Sequence, residues 1–403
     1  MGESLAVVTP WYPAPCSPFG GAFVEAVVES VHENFSAIDV WHGDEWAVSL
    51  PWIARRLVPR MYGALIARRS ILPLSEHEAK VHRFPVLLLP GGSYAGFARS
   101  HERFLRRTLR GGRLPASVVH AHVGLAGGWP ALQLAEAGAR VFVTEHATFL
   151  NRVLSQSESR IMYDEVIERC TKFFCVSSIL RQQLLGVFPH HEGKIHVIPN
   201  AIPFERIPIR VEPVTDLRRW LYVGNFIERK GVMWVLEAFA LCRMERPDLE
   251  LTMVGGGRQR GHLAKRIAQL GLEDSVHLVN AVSPERIFDF FFDHDLLVHA
   301  SRYETFGMTM VEAIATGMPV LVTRCGGPEE TLAGIEADSG ELVSVSDSAV
   351  ELVEGYRRLA ARLPSMDVSR ARGELDRRYS YTAVANLLST YYFGNGPSGT
   401  EIR

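Results

Sequence analysis

The chain has 403 residues, 47% of them apolar and 22% charged, with 43 Lys and Arg set against 45 Asp and Glu. That length suits two globular domains, and the near-neutral balance argues against nucleic acid or another polyanion as a partner. Five cysteines with no C-x-x-C pair argue against a disulfide framework or a zinc knuckle and point to a reducing, cytoplasmic compartment.

In chain order, Leu5-Ala6-Val7-Val8 predicts a first buried strand and residues 19–33 a helix. The loop between them runs from Trp11-Tyr12-Pro13 to Gly20 and Gly21. A glycine pair at a strand-to-helix junction lets a phosphate approach the backbone, or simply makes a tight turn. Between Leu50 and Arg113 stand thirteen basic residues against three acidic ones. Arg55, Arg56, Arg60, Arg68 and Arg69 interleave with Trp52, Ile53, Leu57, Met61, Tyr62 and Leu65; Arg99, Arg103, Arg106, Arg107 and Arg110 follow. Pro51 and Pro59 interrupt the first stretch, so two short helices are expected rather than one long one. They present either a solvated face or a surface for anionic lipid or a phosphorylated acceptor, with peripheral membrane contact through residues 50–113. No apolar run of about 18 residues predicts a membrane span.

Ser117-Val118-Val119-His120, Val141-Phe142-Val143-Thr144 and Phe173-Phe174-Cys175-Val176 predict strands buried on both faces, as in a parallel sheet. His120 and His122 flank Ala121 at the end of the first, and alternation puts both imidazoles on one side. A zinc site there would need two more ligands, which no local motif supplies. Glu145 and His146 end the next strand. The stretch from Ile195 to Asn200 closes the series, and Pro199, Pro203, Pro208 and Pro213 mark a linker. The alternation then restarts with strands at 220–223, 249–254, 276–279, 296–299 and 319–322. Two successive βαβ series predict two doubly wound α/β domains, with the chemistry on the loops beyond the carboxyl ends of the strands.

Two of those loops carry charge. Gly224-Asn225-Phe226-Ile227-Glu228-Arg229-Lys230-Gly231 sets adjacent cations behind a strand; Arg offers a fork and Lys a point charge to a diphosphate. Tyr303-Glu304-Thr305-Phe306-Gly307-Met308 leads into a helix on which Glu312 stands eight positions after Glu304. Gly307 at the helix entry opens the N-terminal N–H groups to an anion, and carboxylates suit hydroxyl groups.

This stretch resembles the E-x7-E motif of the retaining GT-B glycosyltransferases, especially family 4. The resemblance covers nearly the whole chain, most sharply residues 220–345, while residues 40–115 match nothing specific. It implies an α/β fold of two Rossmann-like doubly wound domains facing across a cleft. Residues 1–204 are the acceptor-side domain, 205–378 bind the nucleotide sugar, and 379–403 form a helix crossing back to the first domain. Tyr381, Val384, Leu387, Leu388 and Tyr391 would lie on one face of that helix. By resemblance, Glu304 lies against the donor sugar, Glu312 binds the ribose hydroxyls, and the backbone of Phe306, Gly307 and Met308 meets sugar and phosphates. Arg229 and Lys230 hold the pyrophosphate, so no metal or other cofactor is required. The donor is a nucleotide-diphosphate sugar, with UDP or GDP the first candidates. Gly20, Gly21 and Gly224 face the donor, and His122 is the first-domain active-site residue, with Glu145 and His146 on the acceptor side. Gly255-Gly256-Gly257 looks nucleotide-proximal, and Leu278 to Val282 occupy the place where relatives bind the base. Asn225 departs from the family, many of whose members have a basic residue there. The acceptor is a glycan, a lipid-linked precursor or a secondary-metabolite aglycone. Alternatives are a nucleotide-sugar epimerase or disaccharide-phosphate synthase of the same fold, and a non-catalytic sugar-nucleotide-binding subunit. A nicotinamide oxidoreductase would need a G-x-G-x-x-G spacing that the glycines do not supply.

Overall fold

The computed structural model describes residues 2–14, 17, 19–47, 71–72, 79–88 and 91–394. Cys16 and the first basic stretch, from Pro51 through Arg69, lie outside the described residues. The chain divides into two compact units, one of Met1–Ala201 with Val384–Arg403, the other of Ile202–Ala383.

The first unit holds an eight-stranded sheet in the order β3-β4-β2-β1-β5-β6-β7-β8. The strands are β1 (Ser4–Thr9), β2 (Ala37–Ala47), β3 (Ile71–Leu72), β4 (Lys80–Leu88), β5 (Val118–His122), β6 (Arg140–Glu145), β7 (Lys172–Cys175) and β8 (Ile195–Val197). All pair in parallel except β3 with β4. Every residue of β5 is buried, as a central strand covered on both faces requires. The chain leaves β1 toward β2 on one side and returns to β5 on the other. The β1/β5 junction is therefore the topological switch point, where doubly wound sheets open a crevice beyond the strand ends.

Helix α1 spans Ala22–Val31, shorter than the sequence pattern, because Phe19 and Gly20 are spent on a turn. Helix α2, Tyr94–Thr108, takes part of the second basic stretch. Ser93 caps it by accepting from the Gly96 N–H, 3.0 Å away. Ala95, Ala98, Phe104 and Leu105 turn inward and the arginines outward, which is the amphipathic pattern of a helix laid on a core. Helix α3 spans Ser157–Arg169.

The second unit has a six-stranded parallel sheet in the order β11-β10-β9-β12-β13-β14. Its strands are β9 (Arg219–Val223), β10 (Glu250–Val254), β11 (Val276–Val279), β12 (Leu296–His299), β13 (Val320–Thr323) and β14 (Gly340–Val343). Trp220, Tyr222, Phe226, Phe239 and Met253 fill its core. The switch point here is between β9 and β12, from which helices α4 (Val232–Glu245) and α5 (Met308–Ala315) depart. The Arg229-Lys230 loop follows β9 and the Glu304 loop follows β12, so topology alone brings the two charged loops together.

The C-terminal helix α6 spans Tyr381–Tyr392, and its residues from Val384 on belong to the first unit. Its buried side chains are Val384, Ala385, Leu388 and Tyr392. The buried face is thus turned slightly from the expected one, which included Leu387 and Tyr391. Phe35 and Phe142 cover Tyr392, with ring centroids at 5.6 and 5.1 Å. Among the described residues, no helix is long and apolar enough to cross a membrane. Cys170, Cys175, Cys242 and Cys325 are buried and outside any disulfide among the described residues, and burial pushes the thiols of Cys170, Cys242 and Cys325 up to about 12.

Candidate active site

In the first unit, β5 and β6 run in a register that sets His122 opposite Thr144. The loop after β6 then brings His146 beside His122, with 2.9 Å between His122 Nδ1 and His146 Nε2. One ring donates and the other accepts. His120 Nε2 lies 2.7 Å from Thr144 Oγ1, and its Nδ1 lies 2.5 Å from the Tyr392 hydroxyl. All three imidazoles are buried. Burial pushes His120 and His146 down to about 3 and His122 well below its ordinary value, helped by the neighbouring imidazoles. They are neutral at pH 7. His122 Nε2 has no protein partner among the described residues, so its one remaining polar atom suits a ligand hydroxyl. The next residue, Val123, has φ 71 and is the only non-glycine with positive φ among the described residues. A β-branched residue rarely adopts it, and bonds to Val123 from Gly127 and Gly128 and from Val123 to Thr144 hold it there.

Glu145 is committed inward. Oε1 accepts from the N–H groups of His146 and Ala147 at 2.8 and 2.7 Å; Oε2 accepts from the Gly124 N–H at 2.9 Å and the Tyr163 hydroxyl at 2.6 Å. It therefore shapes the loops that carry His122 and His146 instead of presenting oxygens of its own. Tyr163→Phe removes one of these four bonds to a buried carboxylate. We expect about 1.5–3 kcal/mol less stability in urea unfolding; a loss below about 0.5 kcal/mol would show that Glu145 is not held this way.

Gly21, with φ 76, begins α1. A Cβ there would lie 2.4 Å from the Trp11 carbonyl carbon, so only glycine lets the loop after β1 fold back this tightly. Gly20 precedes it in the same turn. Phe23 on α1 packs on the His146 ring at 4.4 Å, tying the glycine turn to the histidines.

In the second unit, Arg229 and Lys230 lie in a short turn over Glu228–Lys230 that Gly231 ends at φ 64. A Cβ on Gly231 would lie 2.0 Å from the Ala300 carbonyl oxygen. That approach presses the basic turn against the end of β12. Lys230 Nζ lies 2.5 Å from Glu304 Oε1. Arg229 Nη1 donates to the Tyr303 carbonyl at 2.6 Å and lies 3.9 Å from Glu304 Oε2. Burial raises the Glu304 carboxyl, but the charge and hydrogen bond of Lys230, with Arg229 behind it, outweigh this and hold it below its ordinary value. The Glu304 backbone is pinned to Cys325 and Gly327 at 3.0 and 2.8 Å. His299 stacks on Tyr222 at 4.8 Å beneath this pair, and burial and Lys230 keep it neutral down to about 4.

Gly307 begins α5 at φ 96 and supplies no capping side chain, leaving first-turn N–H groups for an anion. Met308 opens the helix, whereas the Phe306 side chain turns into the core against Tyr379 at 5.1 Å. The Glu312 carboxylate has no hydrogen-bond partner among the described residues, and burial alone pushes it up to about 7. Gly224 and the glycine run after β10 interlock through backbone: Gly224 N–H to Val254 O at 3.0 Å and Phe226 N–H to Gly256 O at 2.7 Å. Sequence reasoning missed Arg260. Its guanidinium donates to Leu278 O at 3.0 Å and lies over the Phe226 ring, knitting the strand-end loops together. Two arginines after three glycines, Arg258 and Arg260, give no spacing signal for that.

The family described as glycosyl transferases group 1 matches residues 204–364, and the one described as glycosyltransferase family 4 matches residues 53–206. Mannosylfructose-phosphate synthase of Agrobacterium fabrum is 27% identical over 57% of this chain and 55% of its own length. MMP alpha-(1->4)-mannosyltransferase of Mycolicibacterium hassiacum is 28% identical over 63% of this chain and 64% of its own. The chain thus spans between half and two thirds of the length of these curated relatives. Among solved structures, sucrose-phosphate synthase of Thermosynechococcus elongatus superposes with TM-score 0.74 at 19% identity, over 98% of this chain and 99% of its own; that likeness is one of fold. With two such sheets and two such family matches meeting end to end across residues 53–364, the chain has the GT-B fold and is related to glycosyl transferases group 1 and glycosyltransferase family 4.

Proposed function

We propose that the chain moves a hexosyl group from a nucleotide-diphosphate sugar to an acceptor hydroxyl, with retention and without a catalytic metal. The observation that carries this reading is the cluster at the β9/β12 switch point. Two cations face one carboxylate there, beside a helix start that carries a second, partnerless carboxylate. Arg229 and Lys230 receive the diphosphate, whose charge the first turn of α5, entered by Phe306, Gly307 and Met308, also attracts. Lys230 has three N–H donors and can keep Glu304 while reaching a phosphate oxygen. Glu304 then sits where a sugar hydroxyl would meet it. Glu312 accepts from the ribose diol. Within the first unit, His122 offers Nε2 to a ligand hydroxyl beside the turn of Gly20 and Gly21, with His146 on the acceptor side. As the anomeric bond breaks, the cations stabilise the leaving diphosphate. That diphosphate takes the acceptor proton on the same face, and the new bond forms with retention. UDP and GDP are the first nucleotides to try.

Glu312→Ala should weaken nucleotide diphosphate binding about tenfold to a hundredfold, as lost charge-assisted hydrogen bonds at a buried diol would. In the wild type the carboxyl ionises near pH 7, and the ionised form is the better acceptor. Affinity should therefore rise with pH up to about 7 and fall about tenfold per unit below it. Calorimetry giving equal affinities for mutant and wild type would remove Glu312 from the nucleotide site.

The names of two relatives, a mannosylfructose-phosphate synthase and a sucrose-phosphate synthase, favour a second reading of the acceptor as a sugar phosphate. Assays offering hexose phosphates beside lipid-linked and glycan acceptors decide between them. We place the chain in the cytoplasm. In α2, Arg99 pairs with Glu158 and Arg106 with Glu102, so part of the basic stretch is neutralised. The remaining arginines would meet an anionic bilayer at roughly 1 kcal/mol each. Flotation should show binding to anionic vesicles at low salt that high salt abolishes. No binding at low salt would rule out membrane contact.

A further inference from the structure

We propose that Asp164, His190 and His191 form a binding site for one divalent transition-metal ion of the zinc type, formed by residues other than the two strand-end clusters. The three side chains come from two segments of the first unit: Asp164 from α3, and the histidines from the single turn Pro189–His191. Both imidazoles aim Nε2 at the same carboxylate oxygen, Asp164 Oδ1, His190 from 3.0 Å and His191 from 2.8 Å. All three donor atoms lie within 4.8 Å of one another. Bonds of about 2.0–2.1 Å in a tetrahedral site place neighbouring donors about 3.3 Å apart. The two carboxylate–imidazole distances need to open only by a few tenths of an ångström, with the ion taking the place of the imidazole protons that point at Asp164.

The far side of the site supports the same reading. The other nitrogen of His191, Nδ1, faces Glu168 Oε2 at 3.4 Å. A ligating histidine commonly turns its second ring nitrogen to a carboxylate in this way, which fixes its tautomer and raises its basicity. His191 is buried, whereas His190 is open to solvent, so one ligand is preset and one side stays accessible to an entering ion. Two imidazoles with a carboxylate suit zinc and its neighbours; magnesium and calcium prefer all-oxygen shells.

Such an ion would staple α3 to the turn after residue 188. Tyr163, next to Asp164, holds Glu145 through its hydroxyl at 2.6 Å. Phe188 stacks on Tyr163 at 6.0 Å with planes 4° apart, and its ring lies 6.4 Å from that of His191. The metal would thus stiffen the support of the loop that carries His146.

The test uses the full chain, stripped with chelator and titrated with ZnCl2. We expect one equivalent to bind and to raise the unfolding temperature, with MgCl2 giving no shift. His190→Ala and Asp164→Asn should each weaken binding at least about tenfold and remove the thermal shift, and Glu168→Gln should weaken it about 10–100-fold. In nitrogen-15 spectra of the wild type, the Nε2 signals of two of the fifteen histidines should move together with the first equivalent. This reading needs no variant to fold. No zinc shift in the wild type, equal binding in wild type and variants, or small movements spread over many histidines would each overturn the proposal.

Discussion

Lys230→Ala should lower turnover by about 10²–10³-fold, the cost of removing one strong donor from a preorganised anion site. The lysine does two things that no neighbour can take over. Its ammonium lies 2.5 Å from Glu304 Oε1, and it would face the leaving diphosphate. Arg229 lies farther from the same carboxylate, at 3.9 Å, with Nη1 bonded to the Tyr303 carbonyl. Without Lys230, burial of Glu304 loses its main counterweight, and the carboxyl should rise from its lowered value. The mutant's pH profile should therefore shift upward on the acid limb as well as fall in height. Chelator should leave the wild-type rate unchanged, since the two cations serve where a metal otherwise would. Wild-type turnover in Lys230→Ala, or loss of activity in EDTA that a divalent ion restores in Asp164→Asn as well as in the wild type, would contradict this role.

The second large effect is on stability in acid. Burial holds His42, His120 and His146 neutral down to about 3, while in the unfolded chain they titrate near 6.5. Between those values the unfolded state binds protons that the folded state refuses, so stability falls as pH falls. The cost is about 1.4 kcal/mol per residue and pH unit, about 6 kcal/mol for the three at pH 5. That rivals the whole stability of a typical domain. All three belong to the first unit. In the second, His299 acts in the same direction from 6.5 down to about 4. Glu312 opposes it there: its carboxyl is raised to about 7, so the folded state holds the extra proton between about 4.5 and 7, and its stabilisation is fullest at low pH. The first unit should therefore melt first in acid. Its unfolding midpoint should drop by about 10–20 °C between pH 7.5 and pH 5.0. An unchanged midpoint, or earlier melting of the second unit, would show that these imidazoles charge within the folded protein.

What the sequence revealed follows a physical line. Strands buried on both faces read as continuous apolar runs, and β1, β5, β6, β7 and β9 through β13 were legible for that reason. β2 and β4 were not. Asp39, Asp44 and Glu45 on one, and Lys80 and Arg83 on the other, break the apolar run. Several of these are paired within the unit, as Asp39 is with His82 at 2.5 Å and Glu45 with His101 at 2.9 Å. The charged loops of the second unit were legible because their chemistry is local: Arg229 with Lys230, and Glu304 eight positions before Glu312. Long-range partners left no trace. Tyr392 reaches His120 across 272 positions, and Tyr163 meets Glu145, at the end of β6, from α3. The glycine run at Gly255 read as a ligand loop, while in the fold its backbone locks onto the loop that follows β9. Glu145 read as an acceptor-side group because it ends a strand. The turn after β6 instead folds two N–H groups back onto its carboxylate.

The most direct measurement is a thermal-shift panel of UDP-, GDP-, ADP- and TDP-sugars on the full chain, followed by a transfer assay with the donor that stabilises it most. The product is read by proton NMR at the anomeric carbon. We expect one nucleotide series to raise the midpoint through the second unit, and a new glycosidic bond with the donor's own anomeric configuration, formed in the presence of EDTA and lost in Glu304→Ala. Hydrolysis or isomerisation of the donor with no transfer product, or an inverted linkage, would contradict it.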